Sequence, residues 1–158
     1  MSELPEIILR AIDGVLSEKR ENMLHGAEYL LANAESPIEA AFHIALQSAL
    51  SDSAYHAEIE ARTQVQIGKF RVDFMLALRG QKFVVECDGH DFHERTKEQA
   101  RRDRSRDRSL TSEGYVVIRF TGSEIWSDAL KCAQQAVSLL EDAYYRHADA
   151  VWKAGGEA

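Results

Sequence analysis

Three acidic residues lie in the stretch Arg71–His93, RVDFMLALRGQKFVVECDGHDFH, at spacings that a β-hairpin would bring together. Two apolar runs, Val72–Leu78 and Phe83–Cys87, flank Arg79-Gly80-Gln81-Lys82, and a glycine in so short a connection signals a hairpin. Pairing Arg79 with Lys82 around a Gly80-Gln81 turn sets Asp73 opposite Asp88 and Met75 opposite Glu86. Alternation with period two then sends Asp73, Glu86 and Asp88 to one sheet face. Carboxylates that close repel one another. They are relieved by a bound cation, a basic neighbour or a raised pKa. The cation makes this a metal centre for Asp73 and Glu86, since magnesium favours one or two carboxylates plus waters and phosphates. The basic neighbour makes it a salt-bridge network with Arg71 and Arg119. Asp88 serves as a further ligand, as a group that orients a water or a histidine, or as half of an Asp88-Gly89 turn. A slip of one residue would part Glu86 and Asp88 from Asp73.

Composition narrows the class. A chain of 158 residues, 45% apolar and 28% charged, has the size and make-up of one soluble domain with a core of its own. No apolar run nears the roughly 18 residues of a membrane span, and no secretory pattern opens the chain. Two cysteines, Cys87 and Cys132, make neither a disulfide framework nor a zinc cluster. The expected compartment is the cytoplasm, with no membrane partner. A net charge of −7 argues against nucleic acid as partner. Glu94–Arg108 is nonetheless locally basic, with Arg101, Arg102, Arg104 and Arg106 in close succession. Such an element can track phosphates on an acidic protein.

The elements that must position these residues follow from periodicity and caps. Pro5 to about Leu16, and again Met23 to Leu31, carry apolar residues at helical spacing. They either pack on the core or form an arm that pairs two copies of the chain. Ser36-Pro37-Ile38-Glu39 opens a helix to about Leu50, with Ser36 as N-cap, Pro37 at the first position and Glu39 completing a capping box. Ile59, Ala61, Thr63, Val65 and Ile67 share one parity, predicting a half-buried strand before Gly68. Thr96-Lys97-Glu98-Gln99 caps a helix to about Ser112 that is poor in apolar residues and stacks Asp103, Arg106, Asp107 and Leu110 on one face. That face is either solvated and laced with salt bridges or laid over the acidic site. Tyr115–Phe120 reads as a buried strand. Thr121-Gly122-Ser123-Glu124 caps a last helix whose apolar side includes Ile125, Ala133, Val137 and Leu140. The fold class is α/β (α+β): a three-strand antiparallel meander, a fourth strand after a helical crossover, and flanking helices. Residues 1–35 form a helical extension packed on the same domain, 36–146 the domain proper and 147–158 a tail.

This order, and the segments SPIEAAF, RVDF, VVECDGHDFH, DRSRDRSL, GYVVIRF and GSEI within it, resembles the PD-(D/E)XK nuclease superfamily. The chain is most similar to its very-short-patch-repair-like branch and related endonuclease-domain proteins. The resemblance covers roughly Ser36 to Ile125 and implies a restriction-endonuclease-like fold that hydrolyses DNA phosphodiesters with Mg2+ or Mn2+. Asp73 and Glu86 match the acidic motif, while Asp88 stands where the superfamily has a lysine. In the very-short-patch-repair branch that lysine is also missing, and a histidine after the glycine does base chemistry. The spacing from Gly89 to His93 matches. The branch's zinc-binding cysteines are absent, so its mismatch specificity is not implied.

The resemblance further implies that the Cys87 backbone carbonyl is a ligand, that His93 is the general base, and that Glu39 is a site acid on the helix before the sheet. His90 is placed near phosphate, and Asp103 and Arg106 fall in a pattern close to the site. The rival functions are a nucleic-acid-binding module of the same fold without activity, and a structural partner in a DNA-processing complex.

Overall fold

The computed structural model describes residues 5–13, 31–32, 34–88 and 97–155. The elements are α1 (Glu6–Asp13), α2 (Pro37–Asp52), β1 (Glu60–Ile67), β2 (Phe70–Leu78), β3 (Gln81–Asp88), α3 (Lys97–Ser112), β4 (Tyr115–Thr121) and α4 (Gly122–Lys153). The strands form one mixed sheet in the order β1-β2-β3-β4, antiparallel except where β4 joins β3 in parallel. The parallel strand requires a crossover, and α3 supplies it. The fold is therefore the expected α+β arrangement, a meander plus one crossover strand flanked by helices.

Local chemistry sets the helix ends. Ser36 is extended at φ −151°, and its hydroxyl accepts the Glu39 amide at 3.2 Å, with Pro37 following at the first helical position. At Thr121 the capping box with Glu124 is complete. Gly114 closes the turn after α3 at φ +87°, a conformation that glycine adopts without steric cost. Near its start α4 breaks at Asp128 (φ −161°, ψ 84°), whose carboxylate accepts the Lys131 amide at 2.9 Å and so caps the long second part. The helix then runs to Lys153, so most of the expected tail from residue 147 onward is helical.

The sheet divides two unequal apolar layers. On one face α1, α2 and α4 build the main core, with Phe42 packed on Phe74 at 5.1 Å and on Phe120 at 5.7 Å between ring centres. Each fully buried side chain of this size contributes about 1.5–3 kcal/mol, so this layer carries most of the stability. Ile7, Ile8, Ala11 and Ile12 of α1 are buried in the same core, which makes that helix part of its own domain. The remaining N-terminal positions considered for a dimer arm, Leu16 and Met23–Leu30, lie outside the described residues. On the other face, among the described residues, Leu110 is the one residue of α3 buried with Ile67, Val72 and Val84. A helix with one apolar anchor must be held by polar contacts.

The hairpin differs from expectation in register. Leu78 pairs with Gln81 and Phe74 with Val85, so the two-residue turn is Arg79-Gly80, not Gly80-Gln81. Both turn residues have positive φ, 43° and 89°, as a type I′ turn demands. Glycine takes the second position, and Arg79 offsets its strain through hydrogen bonds to Glu58 and Tyr144. The shift is two residues, which preserves parity on β3 but brings Asp73 to the level of Glu86 instead of Asp88.

Parity itself fails elsewhere. Phe70 and Val72 pack with Leu110, whereas Phe74, Leu76 and Leu78 lie in the main core. The even residues of β2 thus change face across Asp73. Ile59, just before β1, packs in the main core while Val65 and Ile67 of β1 lie in the other layer, so the single parity expected there is not observed. Thr63 faces Phe74 and Val65 faces Val72, with Gln64 at φ 53° between them at the level of Asp73. Register is equal on both sides, so no residue has been inserted.

Candidate functional site

The irregular level of β1 and β2 is where the site is built. The β2–β3 pairing ends at Phe74–Val85. Asp73 then takes over from the ladder: its Oδ2 accepts the Cys87 amide at 2.8 Å. This one bond ties the acid of β2 to the strand carrying Glu86 and Asp88. Asp73 thus stands at the level of Glu86, at the point where the faces of β2 reverse.

Glu86 is buried, at 8% exposure, on the face covered by α3. Arg106 of α3 donates to it at 2.7 Å and also to the Arg71 carbonyl, with its guanidinium over the Phe70 ring at 5.8 Å. Arg119 of β4 stands beside Glu86 in the sheet and makes a two-pronged pair with Asp107 at 2.6 and 2.7 Å. Of the basic neighbours anticipated, Arg119 acts on Glu86 from the next strand and Arg71 pairs with Glu35 at 2.6 Å, while the direct bond to Glu86 comes from Arg106. Glu86, Cys87, Asp88, Asp103, Arg106 and Arg119 line a polar cavity of about 90 Å3. Of the stacked α3 face read from the sequence, Asp103 and Arg106 form this wall, Asp107 holds Arg119 and Leu110 joins the apolar layer.

Glu39 completes the acids from α2. It is 5% exposed, and its two oxygens accept from the Glu35 amide at 2.9 Å and from the Gln64 side-chain amide. The expected reciprocal capping box is half formed, because the Glu39 carboxylate reaches the amide of Glu35 and not that of Ser36. Gln64 went unnoticed in the sequence, since a polar residue at the solvent parity of a half-buried strand carries no signal. Its left-handed backbone costs about 1–2 kcal/mol, and a hydrogen bond to a charged group returns about 1.5–3 kcal/mol. The contact with Glu39 is therefore sufficient to hold the strain.

The electrostatics follow from burial. Desolvation pushes the Glu86 carboxyl up to about 7; the charge of Asp73 adds to this, and Arg106 and Arg119 act against it without prevailing. Burial also raises Asp73, opposed by the Cys87 amide and Arg106, and raises Glu39, opposed by Gln64 and the Glu35 amide. Burial pushes the Cys87 thiol well above its ordinary value, and Asp73, Glu39 and Glu86 each push it further. All three acids are thus close enough to act on residue 87. The thiol itself packs against the main core and is no nucleophile.

Of the expected nucleic-acid contacts, Arg101, Arg102 and Arg104 are exposed on α3, while Arg106 is turned inward onto Glu86. His90, His93 and the cap residue Thr96 lie outside the described residues. Among the described residues no group of three or more His, Cys, Asp or Glu is gathered tightly enough to hold a metal ion. The donors themselves, the carboxylates of Asp73 and Glu86, are of the oxygen type that a hard divalent cation takes, and Arg106 is the positive charge now paired with Glu86. No helix among the described residues is long and apolar enough to cross a membrane.

The sequence profile of REase_MTES_1575, a restriction-endonuclease-like family, matches residues 42–140. That span includes Asp73, Glu86, the polar cavity and the whole sheet. No curated protein and no solved structure matches the chain.

Proposed function

The chain belongs to this restriction-endonuclease-like family, and from that premise we propose that it is a divalent-metal-dependent DNA endonuclease hydrolysing phosphodiester bonds. The observation that carries the reading is the Asp73–Cys87 bond, which sets a second, half-buried carboxylate at the level of Glu86 where the hairpin opens. Like charges gathered on desolvated ground favour a cation.

Asp73, Glu86 and the Cys87 carbonyl would hold Mg2+ or Mn2+. When bound, such an ion neutralises the scissile phosphate and stabilises the leaving oxygen. His93 takes the proton of the attacking water, replacing the lysine absent at position 88. Asp88 lines the cavity beside Glu86, suited either to a ligand role or to orienting that water. Arg101, Arg102, Arg104 and His90 track the phosphate backbone, and Asp103 supports the cavity wall. The motif spacing Gly89–His93 favours the very-short-patch-repair-like branch, and the cytoplasm is the compartment we assign.

A second reading has its own support. Arg106 already pairs with Glu86, as it would in a module that binds nucleic acid without cutting it. Incubation of supercoiled plasmid and single-stranded DNA with Mg2+ or Mn2+, beside an Asp73→Ala variant, separates the two. Nicking by wild type that the variant lacks supports the nuclease. Retention of DNA with no cleavage in either metal supports the binding module.

A further inference from the structure

We propose that Gln64 is a positioning residue of this site: its side-chain amide holds the Glu39 carboxylate facing the acids without neutralising it, leaving that charge for a divalent cation. The inference rests on the cation-binding reading given above and adds the residue that orients the third acid.

Four observations converge on Gln64. It is a non-glycine residue in the left-handed region inside a strand, at φ 53°. Strain of that kind persists where the surroundings over-determine it, and it clusters at functional sites. It occurs at the level of Asp73, where both strands change face, so the backbone irregularity and the acid share one place. The Gln64 side chain crosses to a different element, α2, and engages a carboxylate that is 5% exposed.

The last observation is a contrast in chemistry. Glu86 is held by a guanidinium, whereas both oxygens of Glu39 accept from neutral amides. A purely structural anchor for a buried carboxylate is better made by a cation, since an unpaired buried charge is costly. A neutral amide fixes the orientation and leaves the negative charge in place. Burial raises the Glu39 carboxyl and the charge of Asp73 adds to the rise, so the two acids act on one another's ground. Gln64 thus supplies direction to Glu39 without competing for the ion.

The test is Mn2+ calorimetry on the full chain, with thermal melting of the metal-free protein alongside. Gln64→Met keeps length and removes the donor. Gln64→Gly removes the donor and also relieves the left-handed backbone, so it is available if the methionine variant fails to fold. Both are expected to weaken Mn2+ binding by roughly tenfold, the loss of one hydrogen bond to a charged group, with the glycine variant melting no lower than the methionine one. In a Glu39→Gln background the same substitutions should leave Mn2+ affinity unchanged, because Gln64 acts through Glu39. Equal affinity in wild type and both variants overturns the proposal, as does an undiminished drop in the Glu39→Gln background, or a wild type that takes up no Mn2+. A wild type that binds Mn2+ but leaves DNA intact overturns the nuclease reading alone, and the calorimetry still decides the role of Gln64.

Discussion

Arg106 of α3 and Glu86 of β3 form an ion pair at 2.7 Å across the crossover, and the pair links the helix to the sheet where apolar contact is thinnest. Its guanidinium Nε is buried with no hydrogen-bond partner among the described residues, so the arginine is not fully satisfied there. Burial of Glu86 exceeds what Arg106 returns, which is why the carboxyl titrates near 7 despite its partner.

Removing the arginine leaves a buried acid unpaired. Arg106→Ala should cost the metal-free protein about 2–3 kcal/mol at pH 8, below the usual range for a buried pair because the Arg106 side chain is 26% exposed. Urea denaturation measures it. Mn2+ should restore part of the loss, since a ligand of the folded state stabilises it. Wild-type stability in Arg106→Ala without metal would show that the pair holds nothing together.

Glu86 also sets a pH dependence. Its carboxyl titrates near 7 in the folded chain against an ordinary value of 4.5. Between those values the folded state keeps a proton that the unfolded chain has released. The associated stability is fully present below about pH 4.5 and is lost as pH rises through 7. For the metal-free protein this amounts to roughly 3 kcal/mol, and the raised Asp73 and Glu39 act in the same direction. Denaturation midpoints in chelator from pH 4.5 to 8 should fall with pH, and Glu86→Gln should flatten the fall. A wild-type profile that rises over this window would contradict the burial argument.

The exposed arginines of α3 should bind without stabilising. Replacing Arg101, Arg102 and Arg104 by glutamine should weaken DNA binding at every sequence and lower the salt slope by about one per lost phosphate contact. Folding stability should stay within about 0.5 kcal/mol of wild type. Anisotropy titrations at several salt concentrations report the slope, and an unchanged slope would confine the helix to holding the site.

His93→Ala should act on chemistry alone. The single-turnover cleavage rate should fall by about 10²–10⁴, with DNA affinity and melting temperature retained. His90→Ala should do markedly less. Wild-type cleavage should decline below about pH 6.5 as an ordinary imidazole takes a proton. Undiminished cleavage by His93→Ala at saturating metal would falsify the role and move attention to Asp88.

What could be read in advance was local. Ser36 and Thr121 cap helices through atoms within three residues, so their chemistry is written in adjacent letters. The shared face of Asp103, Arg106, Asp107 and Leu110 follows from helical pitch. The crossover strand follows from the alternation of element types. Asp73 and Glu86 were legible as candidates because a hairpin joins them through a short turn. Four decisive features were not legible, because each depends on contacts made by more than one element. Arg106 meets Glu86 across 20 residues and Gln64 meets Glu39 across 25, and neither spacing obeys a period. The register of β2 on β3 depended on which residues could accept positive φ in the turn, a choice tied to Glu58 and Tyr144 on other elements. The reversal of faces at Gln64 and Asp73 is a property of two paired strands at once. Amino-acid order alone determined the elements and the acids they carry. Tertiary packing decided which acid is paired with a guanidinium and which with neutral amides, because burial and partner geometry exist only once the sheet and α3 have closed on each other.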